Sequence, residues 1–202
     1  FVSRDYRLER AALGGVPVLS LVGGKWTTFR ALSQHISTDV MEILGRQRTV
    51  STTDLAIGGG AGYPRSDADR RRWVEAHRGA HAAAFADRML ERYGTYAAEI
   101  LSELPVTQHP LPHAPGYSQE EIALLAAREE VVSLIDLLLR RTSIAFVGSV
   151  TGETLVEVAT AAAPALGWDA SEIDAQVATA TEVLRDARRI DVSTASLAPQ
   201  PA

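Results

Sequence analysis

Residues Val18–Arg30 read VLSLVGGKWTTFR, and the order in which the residue types change along this stretch decides how the chain begins. A short apolar run (Val18, Leu19, Leu21, Val22) stops at Gly23-Gly24, passes Lys25 and enters a helical pattern at Thr27-Thr28. A run this short, β-branched and broken by glycine predicts a strand, a tight turn and a helix start. A helix start carries amides without intrahelical acceptors and a partial positive charge. Glycine lets an incoming group come close to the backbone. The turn is therefore a candidate site for a phosphate, a carboxylate or the anionic edge of a reduced cofactor ring.

Lys25 sharpens this reading. It is the one lysine among 20 basic residues, the others being arginine. Lysine offers a compact point charge on a flexible stem, where arginine offers a wider planar fork. A solvated lysine beside an ordinary strand–helix turn is the plain alternative. The stretch is not a P-loop: the upstream glycine of that motif is missing and Trp26 follows Lys25.

Working outward, Phe1–Arg10 and Val16–Val22 read as neighbouring strands joined through a turn at Leu13–Pro17, a hairpin that is marginal by itself. Phe29, Leu32, Ile36, Val40, Ile43 and Leu44 fall at helical spacing and Gly45 is a natural stop. Residues 1–49 thus form a strand–strand–helix unit that wants a larger sheet. Residues 50–65, with Gly58-Gly59-Gly60, Gly62 and Pro64, read as a linker with a short strand at Asp54–Ile57. The glycine triplet is taken as flexible chain rather than a phosphate cradle.

Helices fill residues 66–192. Ser66 with Asp69 caps Asp67–His77; Gly79 separates it from Ala82–Tyr93; Tyr96–Leu104 follows Gly94. Pro105–Gly116 must be extended or looped. Ser118 and Glu121 form a capping box that launches Gln119–Glu130, and Val131–Arg140 continues the pattern as a central buried helix. Thr154–Leu166 and Ile173–Arg189 complete the set, the last capped by Asp169 and Glu172. Residues 193–202 are expected to be a disordered tail. The fold class is mainly α: a C-terminal helical domain behind the strand–strand–helix unit.

Composition narrows the chemistry. A net charge of −5 argues against a nucleic-acid partner, and the absence of cysteine removes thiolate catalysis and disulfides. No apolar run reaches the ~18–20 residues of a membrane span, and no signal-peptide pattern opens the chain. His77 and His81 stand four apart but flank Gly79 and lack a partner glutamate, so they are expected at the surface. His109 and His113 sit in the proline segment and are expected to have no carboxylates nearby. No metal site is expected, and no G-x-S-x-G elbow supports a hydrolase. Arg4 and Lys25 remain: if their strands are neighbours, a guanidinium fork and an ammonium approach one end of the sheet, a pair suited to a dianionic phosphoester.

SRDYRLE, LSLVGGKWTTFRALS, LERYG, LAAREEVVSLIDLLLRRTSIAF and ALGW occur in that order from Ser3 to Trp168. Together they resemble the C-terminal part of FAD-dependent glycerol-3-phosphate dehydrogenases, within the D-amino-acid-oxidase-like flavoprotein superfamily. The resemblance implies that residues 1–49 are the end of an α/β FAD/substrate domain whose dinucleotide-binding half lies elsewhere, so this piece alone should neither retain FAD nor turn over. It implies oxidation of glycerol 3-phosphate to dihydroxyacetone phosphate by a flavoprotein, with electrons passed to a quinone, or to oxygen in related oxidases. It places Arg4 at the substrate and Lys25 at substrate and flavin, with Gly23, Gly24, Trp26, Thr27 and Thr28 on the turn lying against the isoalloxazine ring. A Thr27-capped helix start would then stabilise negative charge on the reduced ring. The resemblance further implies a cytoplasmic enzyme docked peripherally on the inner face of the cell membrane. The competing reading is a non-catalytic helical cap or interaction module spanning Ser66–Val192.

Overall fold

The structure is a computed structural model that describes residues 5–148, 150–188 and 192. It is mainly α, with two small two-stranded sheets, and divides into two compact units, Phe1–Tyr63 and Pro64–Ala202.

In the first unit, β1 (Arg7–Leu13) pairs antiparallel with β2 (Val16–Val22), in a register that sets Arg7 opposite Val22 and Leu13 opposite Val16. The connection is shorter than the Leu13–Pro17 turn expected from sequence. Gly14 and Gly15 alone make it, at φ +56° and +83°, the paired positive angles that a two-residue hairpin turn needs. A 3₁₀ turn at Trp26–Thr28 leads into α1 (Phe29–Ile43), and Gly45 at φ +66° ends it. The apolar positions along these elements point to no shared interior: among the described residues of this unit only Leu32 and Asp39 are buried. Asp39 accepts from Arg10 at 2.8 Å, tying α1 to the hairpin. The strand expected at Asp54–Ile57 is absent, and that segment turns instead, the Leu55 amide donating to the Thr52 carbonyl.

The second unit is built from helices: α2 (Asp67–His77), α3 (Ala83–Tyr93), α4 (Ala97–Glu103), α5 (Gln119–Arg128), α6 (Leu134–Asp136), α7 (Gly152–Leu166) and α8 (Ala170–Arg188). The starts of α2, α5 and α8 are capped by the residues the sequence names, and α7 begins two residues before the expected Thr154, capped by Thr151. Ser66, Ser118 and Thr151 accept from the amides of Asp69, Glu121 and Thr154, and Asp169 accepts from the Glu172 amide. The proline-rich segment forms a second hairpin, β3 (Pro110–Leu111) with β4 (Ala114–Ser118). One apolar cluster joins Val74, Phe85, Met89, Leu90 and Leu101 of α2–α4; a larger one joins the hairpin with α5–α8 through residues such as Leu111, Ile122, Leu134, Leu155 and Leu184.

Two sequence expectations change here. The predicted continuation of α5 into a central helix over Val131–Arg140 is interrupted. Glu130 takes φ +49°, and Ser133 starts anew by giving its own amide and hydroxyl to Asp136, both at 2.9 Å. Asp136 thus acts as the local cap that ends helix continuity. The chain then makes a π-helical turn over Leu137–Arg141, closed by the Thr142 amide and hydroxyl on the Leu137 carbonyl at 2.9 and 2.7 Å. The buried leucines are retained, Leu134, Leu137 and Leu138 being fully enclosed. His81, expected at the surface, is buried; its ring Nε2 donates to the Leu101 carbonyl at 2.9 Å and so joins α4 to the start of α3. The predicted tail at 193–202 lies outside the described residues.

Candidate functional site at the glycine-lysine turn

The end of β2, the 3₁₀ turn and the start of α1 position the residues singled out by sequence. Gly23 and Gly24 sit at φ +84° and +106°, angles that a residue with a side chain rarely adopts. The two glycines serve different ends. A Cβ on Gly23 would lie 2.7 Å from the Asp5 carbonyl oxygen, so its bareness is required by the chain's own backbone. A Cβ on Gly24 would make only ordinary contact with Leu32 at 3.5 Å and Tyr6 at 3.8 Å, and the residue is exposed, so its backbone faces solvent. Tyr6 is itself held by a 3.0 Å hydrogen bond to His35 Nδ1 on α1.

Lys25 precedes the turn in extended conformation, exposed and, among the described residues, without an ion pair. The Thr28 hydroxyl donates to the Lys25 carbonyl at 2.9 Å, and the Thr28 amide donates to the same oxygen at 3.0 Å. Thr28 rather than Thr27 therefore fixes the helix start, which corrects the capping role expected of Thr27. Among the described residues the amides of Trp26 and Thr27 have no acceptor, and the Trp26 indole is 93% exposed. Among the described residues the corner thus presents one ammonium and two amides without acceptors beside an exposed glycine backbone, donors that suit an anion. Arg4 lies outside the described residues, so the turn supports the anion reading through Lys25 and its neighbours alone.

The sequence reading missed a second charged centre, in the helical unit. Glu121 was expected to turn back on the Ser118 amide; instead its side chain is 1% exposed and points inward. Its Oε1 accepts from Arg92 at 2.5 Å and from the Tyr93 hydroxyl at 2.5 Å, while Arg92 lies 3.8 Å over the Tyr117 ring and donates to the Gly116 carbonyl. Burial works against the Arg92 cation, yet the charge and hydrogen bond of Glu121 outweigh it and hold its pKa above the ordinary arginine value. Burial first, then the Glu121 charge, push the Tyr93 phenol far up, so it stays a hydrogen donor. Helical spacing contained a signal for this: Glu121 shares a face with Ile122 and Leu125, which are apolar and buried.

The remaining sequence candidates resolve into structural contacts. His77 packs its ring on Trp73 at 4.3 Å. Arg128 pairs with Glu99 and Glu103, Arg140 with Asp136, and Arg141 donates to the Glu129 carbonyl. Among the described residues no group of three His, Asp or Glu side chains is placed to hold a metal ion. No helix among them is long and apolar enough to cross a membrane.

Residues 50–173 match the family described as the C-terminal domain of alpha-glycerophosphate oxidase. The chain belongs to this family. The match takes in α2–α7 and the first residues of α8 of the glycerophosphate oxidase C-terminal domain. The chain is also 32% identical over 202 residues to proteins of Mycobacterium tuberculosis and Mycobacterium bovis named glycerol-3-phosphate dehydrogenase 2, with 95% of the chain and 34% of each relative covered. A Mycobacterium leprae protein named glycerol-3-phosphate dehydrogenase is 32% identical over 200 residues, covering 93% of the chain. The chain spans about a third of the length of the curated relatives it matches, 34% in each case.

Proposed function

We propose that the chain is the C-terminal part of a flavin-dependent dehydrogenase that oxidises glycerol 3-phosphate to dihydroxyacetone phosphate, its two units acting as the end of a substrate domain and a helical domain joined near residues 50–65. The observation that carries this reading is the exposed Lys25 turn, whose ammonium and, among the described residues, acceptor-free Trp26 and Thr27 amides lie beside an exposed Gly24 backbone. The names of the mycobacterial relatives supply the substrate class.

The Lys25 ammonium and the Trp26 and Thr27 amides fit the anionic edge of a reduced flavin, and the exposed Gly24 offers the close approach that a flat ring needs. When bound, flavin supplies a two-electron acceptor for the hydride that leaves C2 of glycerol 3-phosphate. The chain's own residues do the rest. Gly23, Gly24 and Thr28 hold the turn rigid, the Trp26 and Thr27 amides stabilise negative charge without reorganising, and Lys25 adds a full positive charge at short range. Arg4 is proposed as the second cation, taking two phosphate oxygens with its fork. The enzyme passes its electrons to a quinone at the inner face of the cell membrane, where it docks peripherally. Because the matching family takes its description from an oxidase, oxygen is the second reading for the acceptor.

The test uses the full-length enzyme. Lys25→Met should lower kcat/KM for glycerol 3-phosphate by about 10²–10³-fold, the loss found when one preorganised donor is removed. Unchanged turnover sinks the assignment of Lys25. Hydrogen peroxide formed in step with product, with no rate gain from added quinone, assigns the acceptor to oxygen.

A further inference from the structure

The segment His109-Pro110-Leu111-Pro112-His113 carries the same grip twice. His109 donates its backbone amide to Glu120 Oε2 at 2.9 Å, and its ring Nδ1 lies 2.6 Å from Oε1 of the same carboxylate. His113 repeats this on Glu157, with 3.0 Å from the amide and 2.6 Å from Nδ1. An ionised carboxylate only accepts, so each Nδ1 carries a proton, and at His113 the ring Nε2 is where the second proton comes and goes. Glu120 stands on α5 and Glu157 on α7, so the ends of one short strand are fastened to two different helices. The imidazoles are 63% and 48% exposed while the glutamates are 19% and 20% exposed. Protons therefore reach the rings without unfolding, and the charge they add acts on half-enclosed carboxylates.

What the grips hold shut matters as much. Between them Leu111 enters the larger core, and β4 brings in Ala114 and Tyr117. The Tyr117 ring and the Gly116 carbonyl are the hairpin's contacts to Arg92, so the hairpin closes over the buried Arg92–Glu121 pair. The charged and titratable groups around it are Glu120 and Glu121 from α5, Glu153 and Glu157 from α7, and Arg92 and Tyr93 from α3. Carboxylates predominate at the two rings. The His113 pKa is raised, chiefly by its hydrogen bond to Glu157, then, against some desolvation, by the charges of Glu157 and Glu153.

We propose that the β3–β4 hairpin is a pH-sensitive clasp over the Arg92–Glu121 pair, fastened by His109 on Glu120 and by His113 as an imidazolium on Glu157, and loosened at its His113 end when that ring loses its charge. A histidine whose pKa is raised on folding contributes its full stability below the ordinary value near ~6.5 and loses it as pH rises through the folded value. The clasp is thus tightest in mildly acidic to neutral solution and looser in alkali. The neutral ring keeps its Nδ1 proton, so it loosens rather than lets go.

Amide hydrogen exchange of residues 111–118 in the 202-residue chain tests this, corrected for intrinsic rates between about pH 5.5 and about pH 8.5. Protection of the hairpin should fall by about two- to fivefold across this range, the scale of one exposed ion pair, while the middle of α7 is unchanged. The double variant His109→Asn/His113→Asn keeps an uncharged donor at each Nδ1 position, and its hairpin protection should be flat with pH at the wild-type alkaline level. Should that variant not fold, proton NMR of the wild-type His113 imidazole replaces it, with the hairpin's exchange midpoint expected to coincide with the titration of that ring. Protection independent of pH, the same pH dependence in the double variant, or midpoints that differ between ring and hairpin each overturn the proposal.

Discussion

The hairpin-and-helix unit before Tyr63 and the helical unit after Pro64 obey the same sequence rules and end in different states. Both have apolar residues at the right spacing, yet among the described residues Leu32 and Asp39 are the buried ones of the first, while the second encloses two apolar clusters and an ion pair. In the first unit Leu13, Val16, Leu21, Trp26 and Phe29 remain exposed. Periodicity sets the local conformation of a segment, but burial needs a second surface. A two-stranded hairpin with one helix offers too little of it, and a set of amphipathic helices offers enough.

Substitutions can break this contrast at several depths. The largest effect is expected at Glu121→Ala, which strands the Arg92 guanidinium in the interior and should cost the helical unit about 3–5 kcal/mol, read as a fall in its denaturation midpoint. Next comes Leu90→Ala, deleting a fully enclosed side chain at a cost of about 2–5 kcal/mol. Leu21→Ala, at a residue 43% exposed, should change stability by no more than about 0.5 kcal/mol. If the two leucines cost the same, the contrast between the units is wrong. Gly23→Ala, forced against the Asp5 carbonyl at positive φ, should cost about 1–3 kcal/mol and open the first hairpin alone, seen as lost amide protection at Arg7 and Val22. Removal of the buried cap by Ser118→Ala should cost about 1 kcal/mol and fray α5 only.

Acid should distinguish the units most gently. The hydrogen bond from Arg70 holds the Asp87 carboxyl low. Burial opposes ionisation of Asp136, but bonds from Ser133, Val132 and Arg140 bring it below the ordinary range. A carboxylate depressed on folding contributes stability above its unfolded pKa near ~3.9 and loses it as pH falls through the lower folded value. The helical unit should therefore weaken over that acid window, followed by circular dichroism, and Asp136→Asn should flatten the loss.

Much of the helical unit was legible because its boundaries are written in single residues: Ser66, Ser118, Gly79, Gly94 and the Asp169–Glu172 pair each act within one turn. What escaped depends on partners far along the chain. The Asn-like cap of Asp136 competed with helix continuity at Ser133, a balance that apolar spacing does not weigh. Glu121 looked like half of a capping box until α3 supplied Arg92, 29 residues away. The glutamates that hold His109 and His113 come from 11 and 44 residues downstream. At the turn, spacing gave the strand, glycines and helix start, but not that Gly23 serves its own backbone while Gly24 stays open.

One consequence follows from the exposed position of Lys25. Within these 202 residues an amine-directed label would decorate side chains at a single spot, and a lysine-specific protease would cut once, between the strand pair and the long helix behind it. A fluorophore placed there by ordinary acylation chemistry would report on whatever docks against that corner.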